Sequence, residues 1–308
     1  MIGSHIVDLL VHDQQIDEVR VVDSFFADDT KKNLENSVGS GKLRTLTADV
    51  RDGDGILGAL QGVNYVFHLA AVMTLDGLDR PEWIWSVNAG GFFNVLNASR
   101  QVGVERVVLS SSTSAYGDVP GDKKLTEELV LKPTTIYGAT KASSEALAHA
   151  FWRTFGLETV ALRYGVVYGP RLHRRSKSSM VIRDVIDAVL RNERVVVFGD
   201  GSQRCEWVYV NDVARANIAA LYSNVAGESI NVGTGSAETI RQVVDTILRL
   251  MDATVDVEYK PFDKPVAYNE NVMDVTKSSR VLGFLPSTSL EEGLMAQIEY
   301  QRAEMQGV

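Results

Sequence analysis

Tyr137 and Lys141 are the residues of this sequence whose types and spacing best suit catalysis. They lie four positions apart in a predicted helix that begins near Thr134, so both side chains project from one helical face. A neighbouring ammonium group stabilises a phenolate, and we expect Lys141 to lower the pKa of Tyr137 and make it a proton acceptor near neutral pH. Ser112, at the end of the preceding strand, offers a hydroxyl to hold the substrate oxygen. Together these groups suit the reversible oxidation of an alcohol, with hydride transferred to a nicotinamide.

The Tyr-x-x-x-Lys spacing is a weak signal when it stands alone. The chain has ten tyrosines, and a chance match is expected about a third of the time. Tyr137 is the only tyrosine with a lysine four residues later. The alternative is an ordinary helix-surface pair, which contributes a few tenths of a kcal/mol to helix stability. The rest of the chain has to decide between the two interpretations.

Strand and helix patterns alternate through the first half of the chain. The predicted strands are 19–23, 43–47, 65–69, 106–111 and 159–163, and the predicted helices are 2–12, 54–61, 82–102 and one that begins near Thr134. Nearly continuous apolar strands in this order predict an α/β fold, a Rossmann-type doubly wound parallel sheet covered on both faces. Such sheets bind ligands at the carboxyl ends of their strands, so we expect Asp23, Asp49, Ala70 and Ser112 along one rim.

The pattern changes after Pro170. A basic stretch, 171–177, leads into a predicted helix at 179–191. The later predicted elements are strands at 195–198, 207–210, 229–232 and 255–259 and helices at 211–222, 239–251, 276–282 and 289–304. We predict an NAD-binding domain over 1–168 and a smaller α/β substrate-binding domain over 169–308, with 195–232 partly returning to the first domain.

Composition excludes several classes of protein. The chain is 45% apolar and 23% charged, and its net charge of −9 argues against nucleic-acid binding. Cys205 is the single cysteine, so no internal disulfide is possible. No apolar run is long enough to cross a bilayer and no secretory signal is evident, so we expect no membrane association and a cytoplasmic protein. No metal site is predicted.

The first residues match only part of a dinucleotide-binding pattern. Such folds open with a strand and a glycine-rich turn whose amides meet the pyrophosphate at a helix N-terminus. Gly3 stands where the last glycine of that turn is expected. Asp23 follows at the spacing of an acid that binds the adenosine ribose and favours NAD over NADP, and an ordinary turn residue is the alternative.

The first strand and the two earlier glycines of this pattern have no counterpart in the sequence. We therefore expect a sheet with two unpaired inner edges. We interpret Met1 as an internal methionine or a truncation point rather than as the true start. A chain of this exact length is then expected to bind NAD weakly and to have low stability.

Short motifs along the whole chain resemble those of one enzyme family. They are Ile2-Gly3-Ser4-His5, Val22-Asp23, Ala48-Asp49-Val50, His68-Leu69-Ala70-Ala71, Asn88, Ser110-Ser111-Ser112, Tyr116-Gly117, Tyr137-Gly138-Ala139-Thr140-Lys141, Leu162-Arg163-Tyr164, Val167-Tyr168-Gly169-Pro170, Val208-Tyr209-Val210-Asn211-Asp212-Val213-Ala214 and Asn231-Val232-Gly233. Jointly they resemble the extended short-chain dehydrogenase/reductases, and among these the NAD-dependent epimerase/dehydratase family with its nucleotide-sugar epimerases.

The resemblance implies roles for the matching residues. Ser112 and Tyr137 would be the catalytic hydroxyl groups, and Lys141 would also bind the nicotinamide ribose. The residues implied in NAD binding are Gly3, Asp23, Asp49, Val50, Leu69, Ala70, Ala71, Asn88, Tyr137 and Lys141. In these epimerases, oxidation at sugar C4 gives a keto intermediate that turns over and is reduced on its other face. The relatives also dimerise through two helices, which here would be 82–102 and 135–155.

The substrate side departs from the family pattern. Val166 stands where the epimerases have an asparagine that contacts the diphosphate, and Cys205 where they have an arginine. Near 261–266 only Lys264 is basic, and lysine does not reproduce the bidentate contact of arginine with phosphate. The candidate substrate residues are Ser112, Thr113, Val166, Arg171, Arg174 and Arg204. Arg175 and Lys177 share the basic loop, for which a solvated charged segment is the alternative.

Three functional hypotheses follow. The first is an NAD-dependent epimerase of a nucleoside-diphosphate sugar. The second is a dehydrogenase or reductase of another alcohol, which the missing arginines favour. The third is a non-catalytic scaffold or nucleotide sensor, which the missing glycine-rich loop favours. Dehydration is disfavoured because Thr113-Ser114 stand where the resembling 4,6-dehydratases have an Asp-Glu pair.

Overall fold

The structure is a computed structural model that describes residues 1–25, 29–121, 123–172, 180–261 and 271–307. Its helices are α1 Ile2–His12, α2 Asp29–Lys32, α3 Glu35–Val38, α4 Gly53–Ala59, α5 Pro81–Trp85, α6 Gly91–Val102, α7 Ile136–Phe155, α8 Met180–Leu190, α9 Val210–Tyr222, α10 Ile240–Leu250, α11 Thr276–Leu282 and α12 Leu290–Gln306. Its strands are β1 Val19–Asp23, β2 Leu43–Thr47, β3 Tyr65–His68, β4 Arg106–Ser112, β5 Glu158–Tyr164, β6 Val166–Tyr168, β7 Val195–Phe198, β8 Arg204–Cys205, β9 Trp207–Tyr209, β10 Glu228–Val232, β11 Glu238–Thr239 and β12 Val257–Lys260.

Parallel strands form the centre of the first half of the chain. Four of them pair in the order β10-β5-β4-β3, and β1 pairs with β2 in a separate two-stranded sheet. Within the described residues, β1 and β3 each have one edge without a strand partner, and both strands line the same cleft. The predicted parallel α/β fold is confirmed, and the expectation about the missing first strand stays a prediction.

The four-stranded sheet is covered by helices on both faces because its strands are apolar on both. Val107 and Leu109 of β4 pack in a cluster with Phe92 and Leu96 of α6, whereas Val108 belongs to the large cluster on the opposite face. Strand β4 is almost fully buried along its length. A rigid, buried strand of this kind gives its last residue, Ser112, a fixed position at the rim.

The second half of the chain adds three short strand pairs. Strands β6 and β9 pair in parallel, as do β7 and β12, and β8 pairs with β11 in antiparallel fashion. Strand β10 belongs to the four-stranded sheet and α9 packs against α1. The proposed domain limits at 168 and 169 stay a prediction. In the described residues, no helix is both long and apolar enough to cross a membrane.

One predicted helix differs from the structure. The segment 82–102 consists of α5, a π-helical turn at Ser86–Gly90 and α6 rather than one continuous α-helix. The turn contains Asn88, whose buried side chain accepts a hydrogen bond from the amide of Val72 and donates to the Val72 carbonyl and to Thr140. The hydrogen bonds of Asn88 to Val72 and Thr140 thus accompany the change from α-helix to π-helix at this turn.

Candidate active site

A cleft of about 2370 Å³ lies above the carboxyl ends of the parallel strands and extends between β1 and β3. Most of the residues predicted for the site line it. They are Gly3, Asp23, Asp49, Val50, Leu69, Ala70, Ala71, Ser112, Thr113, Tyr137, Lys141 and Val166. This is the location at which open α/β sheets bind ligands.

Ser112 and Tyr137 meet because α7 begins in direct contact with the turn that follows β4. The Thr135 hydroxyl caps α7 by accepting a hydrogen bond of 3.0 Å from the Gly138 amide. A side chain at Gly138 would place a Cβ atom 2.3 Å from the Ser114 carbonyl oxygen, so only glycine permits this approach. The Ser112 side chain consequently lies close enough to Tyr137 to favour its phenolate form, while its hydroxyl donates to the Ser114 hydroxyl at 3.2 Å.

Lys141 lies one turn further along α7, buried beside Tyr137. Its ammonium donates a hydrogen bond of 2.7 Å to the Ser110 carbonyl and lies 5.6 Å from the centroid of the Tyr137 ring. Burial lowers the pKa of Lys141 to about 8, and the Glu145 carboxylate partly offsets this effect. The lysine is thus held at the base of the site by the backbone of β4.

The expectation that Lys141 lowers the pKa of Tyr137 is wrong in this structure. Burial raises the pKa of Tyr137 to about 12, and the neighbouring Ser112 side chain only partly opposes this rise. The ammonium of Lys141 lies over the ring and donates to Ser110, so its charge is not directed at the phenol oxygen. Tyr137 is therefore a protonated phenol, ready to donate a proton.

A buried polar cluster behind the site was not anticipated from the sequence. Glu145, on α7, accepts hydrogen bonds from Ser111 and Arg163 and one of 2.8 Å from Ser229. Arg163 lies 2.6 Å from the carboxylate of Glu145 and stacks over the ring of Tyr116. The cluster joins the helix that carries Tyr137 to the strand that ends in Ser112. In the sequence, only the position of Glu145 indicates this cluster: it lies four residues after Lys141 and therefore on the same helical face.

The cofactor end of the cleft contains groups that fit a dinucleotide. Helix α1 begins at Ile2 without a side-chain cap, so its first amides and its dipole suit a phosphate group. Asp23 ends β1 on the cleft wall, where its carboxylate accepts a hydrogen bond of 2.7 Å from Phe25. Asp49 is paired with Arg51 at 2.6 Å, which lowers the pKa of its carboxyl group. Asn88 lies behind the wall, bound to Val72 and Thr140, and does not line the cleft.

Two of the predicted basic substrate residues, Arg171 and Arg204, belong to the described part of the chain, and neither lines the cleft. Arg171 lies 2.6 Å from Asp8 of α1 in an ion pair, and Arg204 is exposed and donates to the Ala237 carbonyl. Both predictions relied on chain position, whereas long-range partners decide where these side chains lie. Arg174, Arg175, Lys177 and Lys264 fall outside the described residues.

The substrate half of the cleft is mostly apolar. Val166, Cys205 and Trp207 line it together with Asp184, whose pKa is raised to about 6 by burial and by Asp187. Trp207 and Asp184 were not predicted as site residues.

His68 is a buried neutral residue at the rim. Its ring packs on Phe92 with centroids 4.9 Å apart, and burial lowers its pKa to about 3.

Comparisons with known proteins identify relatives of this chain. The family model for the NAD-dependent epimerase/dehydratase family matches residues 1–233. A putative UDP-glucose 4-epimerase of Methanocaldococcus jannaschii is 30% identical, over 98% of this chain and 95% of that protein. The structure of Thermotoga maritima UDP-glucose 4-epimerase with UDP-glucose is 31% identical with a TM-score of 0.91, covering 99% of this chain and 96% of that one. The Thermus thermophilus UDP-glucose 4-epimerase complex with NAD is 30% identical with a TM-score of 0.87, covering 98% and 96%.

The match extends over most of the chain, and the predicted family and its NAD cofactor are confirmed. The chain is therefore an enzyme that belongs to the NAD-dependent epimerase/dehydratase family.

Proposed function

We propose that this chain epimerises a nucleoside-diphosphate sugar through transient oxidation of a ring hydroxyl. One observation carries the proposal: the side chains of Ser112 and Tyr137 line the same cleft close to each other, with Lys141 buried beside them. The similarity to UDP-glucose 4-epimerases over nearly the whole chain supports the substrate class.

The residues present fit NAD, which when bound supplies the acceptor and donor of hydride. Gly3 and the amides of the first turn of α1 would hold the pyrophosphate, and Asp23 the adenosine ribose. Residues 49–50 would flank the adenine, and residues 69–71 would pass beneath the cofactor. Lys141 would bind the nicotinamide ribose.

Proton transfer is assigned to Tyr137. The Ser112 hydroxyl holds the reacting oxygen of the sugar, and Tyr137 exchanges a proton with that oxygen. With a pKa of about 12, the phenol readily protonates the oxygen in the reducing step. In the oxidising step the Tyr137 phenolate needs stabilisation, and the neighbouring Ser112 side chain favours that form.

Inversion follows from the loss of the stereocentre. Oxidation turns the reacting carbon into a ketone, and a ketone that presents its other face is reduced to the epimer. Tyr137 and Ser112 serve both directions because the oxygen stays near them.

Replacing the phenol hydroxyl tests the proposal. Tyr137→Phe should lower the rate of UDP-glucose and UDP-galactose interconversion by roughly 10²- to 10⁴-fold, as expected for loss of a general acid–base group. The assay follows both sugars by chromatography, and UDP-N-acetylglucosamine and UDP-glucuronate are tested in parallel. Tyr222→Phe is the matched control, because Tyr222 is half exposed and bonds to Asp13 outside the cleft.

The absorbance of NADH separates the alternatives. Epimerisation occurs without net NADH formation, whereas stoichiometric NADH with the sugar nucleotides would identify a dehydrogenase instead. A wild-type chain that converts none of the four sugar nucleotides, or a fully active Tyr137→Phe variant, would contradict the proposal.

We also propose that a second copy of the chain covers an exposed aromatic patch on α5, α6 and α7. The patch consists of Trp85, Phe93 and Phe155, whose exposed fractions are 52%, 46% and 51%. Phe151 links the latter two by edge-on ring contacts. Large exposed aromatic side chains gathered on one surface are typical of a protein interface. This supports the homodimer implied by the family resemblance.

A further inference from the structure

The geometry of the reacting groups depends on how α7 lies against β4. Tyr137 and Lys141 belong to the helix, whereas Ser112 ends the strand. At its start, α7 touches the turn after β4 through Gly138. Hydrophobic packing is not directional, so the rotation of the helix further along depends on hydrogen bonds of defined geometry.

Glu145 supplies such hydrogen bonds one helical turn after Lys141. Its carboxylate accepts from Ser111 of β4, from Arg163 of β5 at 2.6 Å and from Ser229 of β10 at 2.8 Å. These three strands are neighbours in the four-stranded sheet, so the sheet holds one side chain of α7 from three directions. The Glu145 side chain is only 6% exposed, and the bonds therefore form in a low-dielectric environment that strengthens them.

This attachment lies directly beside the reacting groups. Ser111, which donates to Glu145, precedes Ser112 in β4. The residue before it, Ser110, accepts a hydrogen bond of 2.7 Å from Lys141 through its carbonyl. Two successive strand residues thus hold two successive turns of the helix, immediately before the strand ends at the reacting hydroxyl.

We propose that Glu145 is a positioning residue, which fixes the rotation of α7 against β4 and thereby holds Tyr137 near Ser112. The inference deepens the proposed function, on which its kinetic test rests. A misplacement of about 1 Å at a reacting group can lower a rate roughly 100-fold, so a small movement of the helix is enough. A residue that only stabilised the fold would change the melting temperature and leave the kcat of the folded enzyme unaltered.

Two hydroxyl deletions form a matched pair that tests the role. Ser111→Ala frees Glu145 from β4 but leaves its ion pair with Arg163 in place, so the kcat of UDP-glucose epimerisation should fall about threefold or more. KM should change by less than about twofold. Thr159→Ala is the control, because Thr159 also joins the sheet to α7, at the Ala148 carbonyl, but lies outside the cleft. Its kcat should equal that of wild type, and an unchanged kcat in Ser111→Ala would overturn the proposal.

The double variant Glu145→Leu/Arg163→Met separates position from stability. It removes both buried charges and should melt close to wild type. Its kcat should nevertheless fall roughly 10- to 100-fold, because the carboxylate no longer ties α7 to β4. Adding Ser111→Ala should then lower kcat by less than about twofold, since the acceptor of its hydroxyl is already absent. A double variant with wild-type kcat, or a threefold further loss on adding Ser111→Ala, would overturn the proposal.

An NMR measurement tests the role independently of the substrate. The chain has ten tyrosines, and in protein labelled with ¹³C at tyrosine Cζ the Tyr137 signal is the one that disappears in Tyr137→Phe. Ser111→Ala should shift this signal because the phenol moves, whereas Thr159→Ala should leave it in place. A Tyr137 signal that does not move in Ser111→Ala overturns the inference while the proposed function stands. If wild type converts none of the sugar nucleotides, the proposed function falls, but a shifted signal still supports the positioning role.

Discussion

Replacing Glu145 with glutamine should destabilise the protein strongly, because it leaves a buried guanidinium without its counter-charge. Arg163 and Glu145 have side chains that are 4% and 6% exposed and are joined by a contact of 2.6 Å. One nitrogen of Arg163, Nη1, already lacks a partner among the described residues. Removing one member of a buried pair typically costs about 3–5 kcal/mol.

The expected shift of the melting temperature follows from chain length. Unfolding 308 residues changes the entropy by about 0.65 kcal/mol/K, at roughly 2.1 cal/mol/K per residue. A loss of about 3–5 kcal/mol therefore lowers the Tm of Glu145→Gln by about 5–8 °C. The assay is thermal unfolding of wild type and variant, followed by circular dichroism.

Two matched variants test the physical reason. Glu291→Gln breaks an ion pair with Arg249 whose side chains are 60% and 58% exposed, and it should shift the Tm by less than about 1 °C. The double variant Glu145→Leu/Arg163→Met removes both buried charges and should recover most of the loss. A Glu145→Gln protein that melts within about 1 °C of wild type would refute the reasoning.

Two further predictions concern acid stability and assembly. The pKa of His68 is lowered to about 3, so between pH 6.5 and pH 3 the unfolded chain binds a proton that the folded chain does not. The stability from neutral His68 is thus complete above pH 6.5 and falls by about 1.4 kcal/mol per pH unit below it. Urea unfolding of His68→Gln should show a shallower decline from about pH 7 to about pH 4.5 than wild type, and parallel curves would count against a neutral buried imidazole. For assembly, light scattering should give a dimer for wild type and a monomer for Phe93→Glu/Phe155→Glu. A monomeric wild type would contradict the proposed interface.

Local patterns were sufficient to predict most of the elements. Strands β1 and β2 have the predicted bounds, and α7 begins two residues after Thr134, because apolar runs and N-cap hydroxyls are local signals. Strands β6, β8 and β11 were not predicted, since each is only two or three residues long and is defined by its partner. The π-helical turn at Asn88 was likewise hidden, because its hydrogen bonds reach Val72 and Thr140.

In the candidate site too, local spacing predicted which residues lie together, whereas features that depend on distant contacts were missed. Ser112, Tyr137 and Lys141 line one cleft, as their spacing predicted. The direction of the Tyr137 pKa shift was wrong, because burial depends on the packed structure and not on the helical spacing. Arg171 was assigned to the substrate from its position in the chain, and only the structure reveals its ion pair with Asp8.

The contact between Gly138 and the Ser114 carbonyl bears on how such enzymes can diversify. Because backbone touches backbone there, the separation of the two reacting hydroxyls does not depend on how many residues connect them. The intervening segment is instead anchored elsewhere, where Leu125 exchanges hydrogen bonds with Val272 and Asp274. Insertions or deletions in that segment can therefore reshape the substrate side during evolution without disturbing the chemistry.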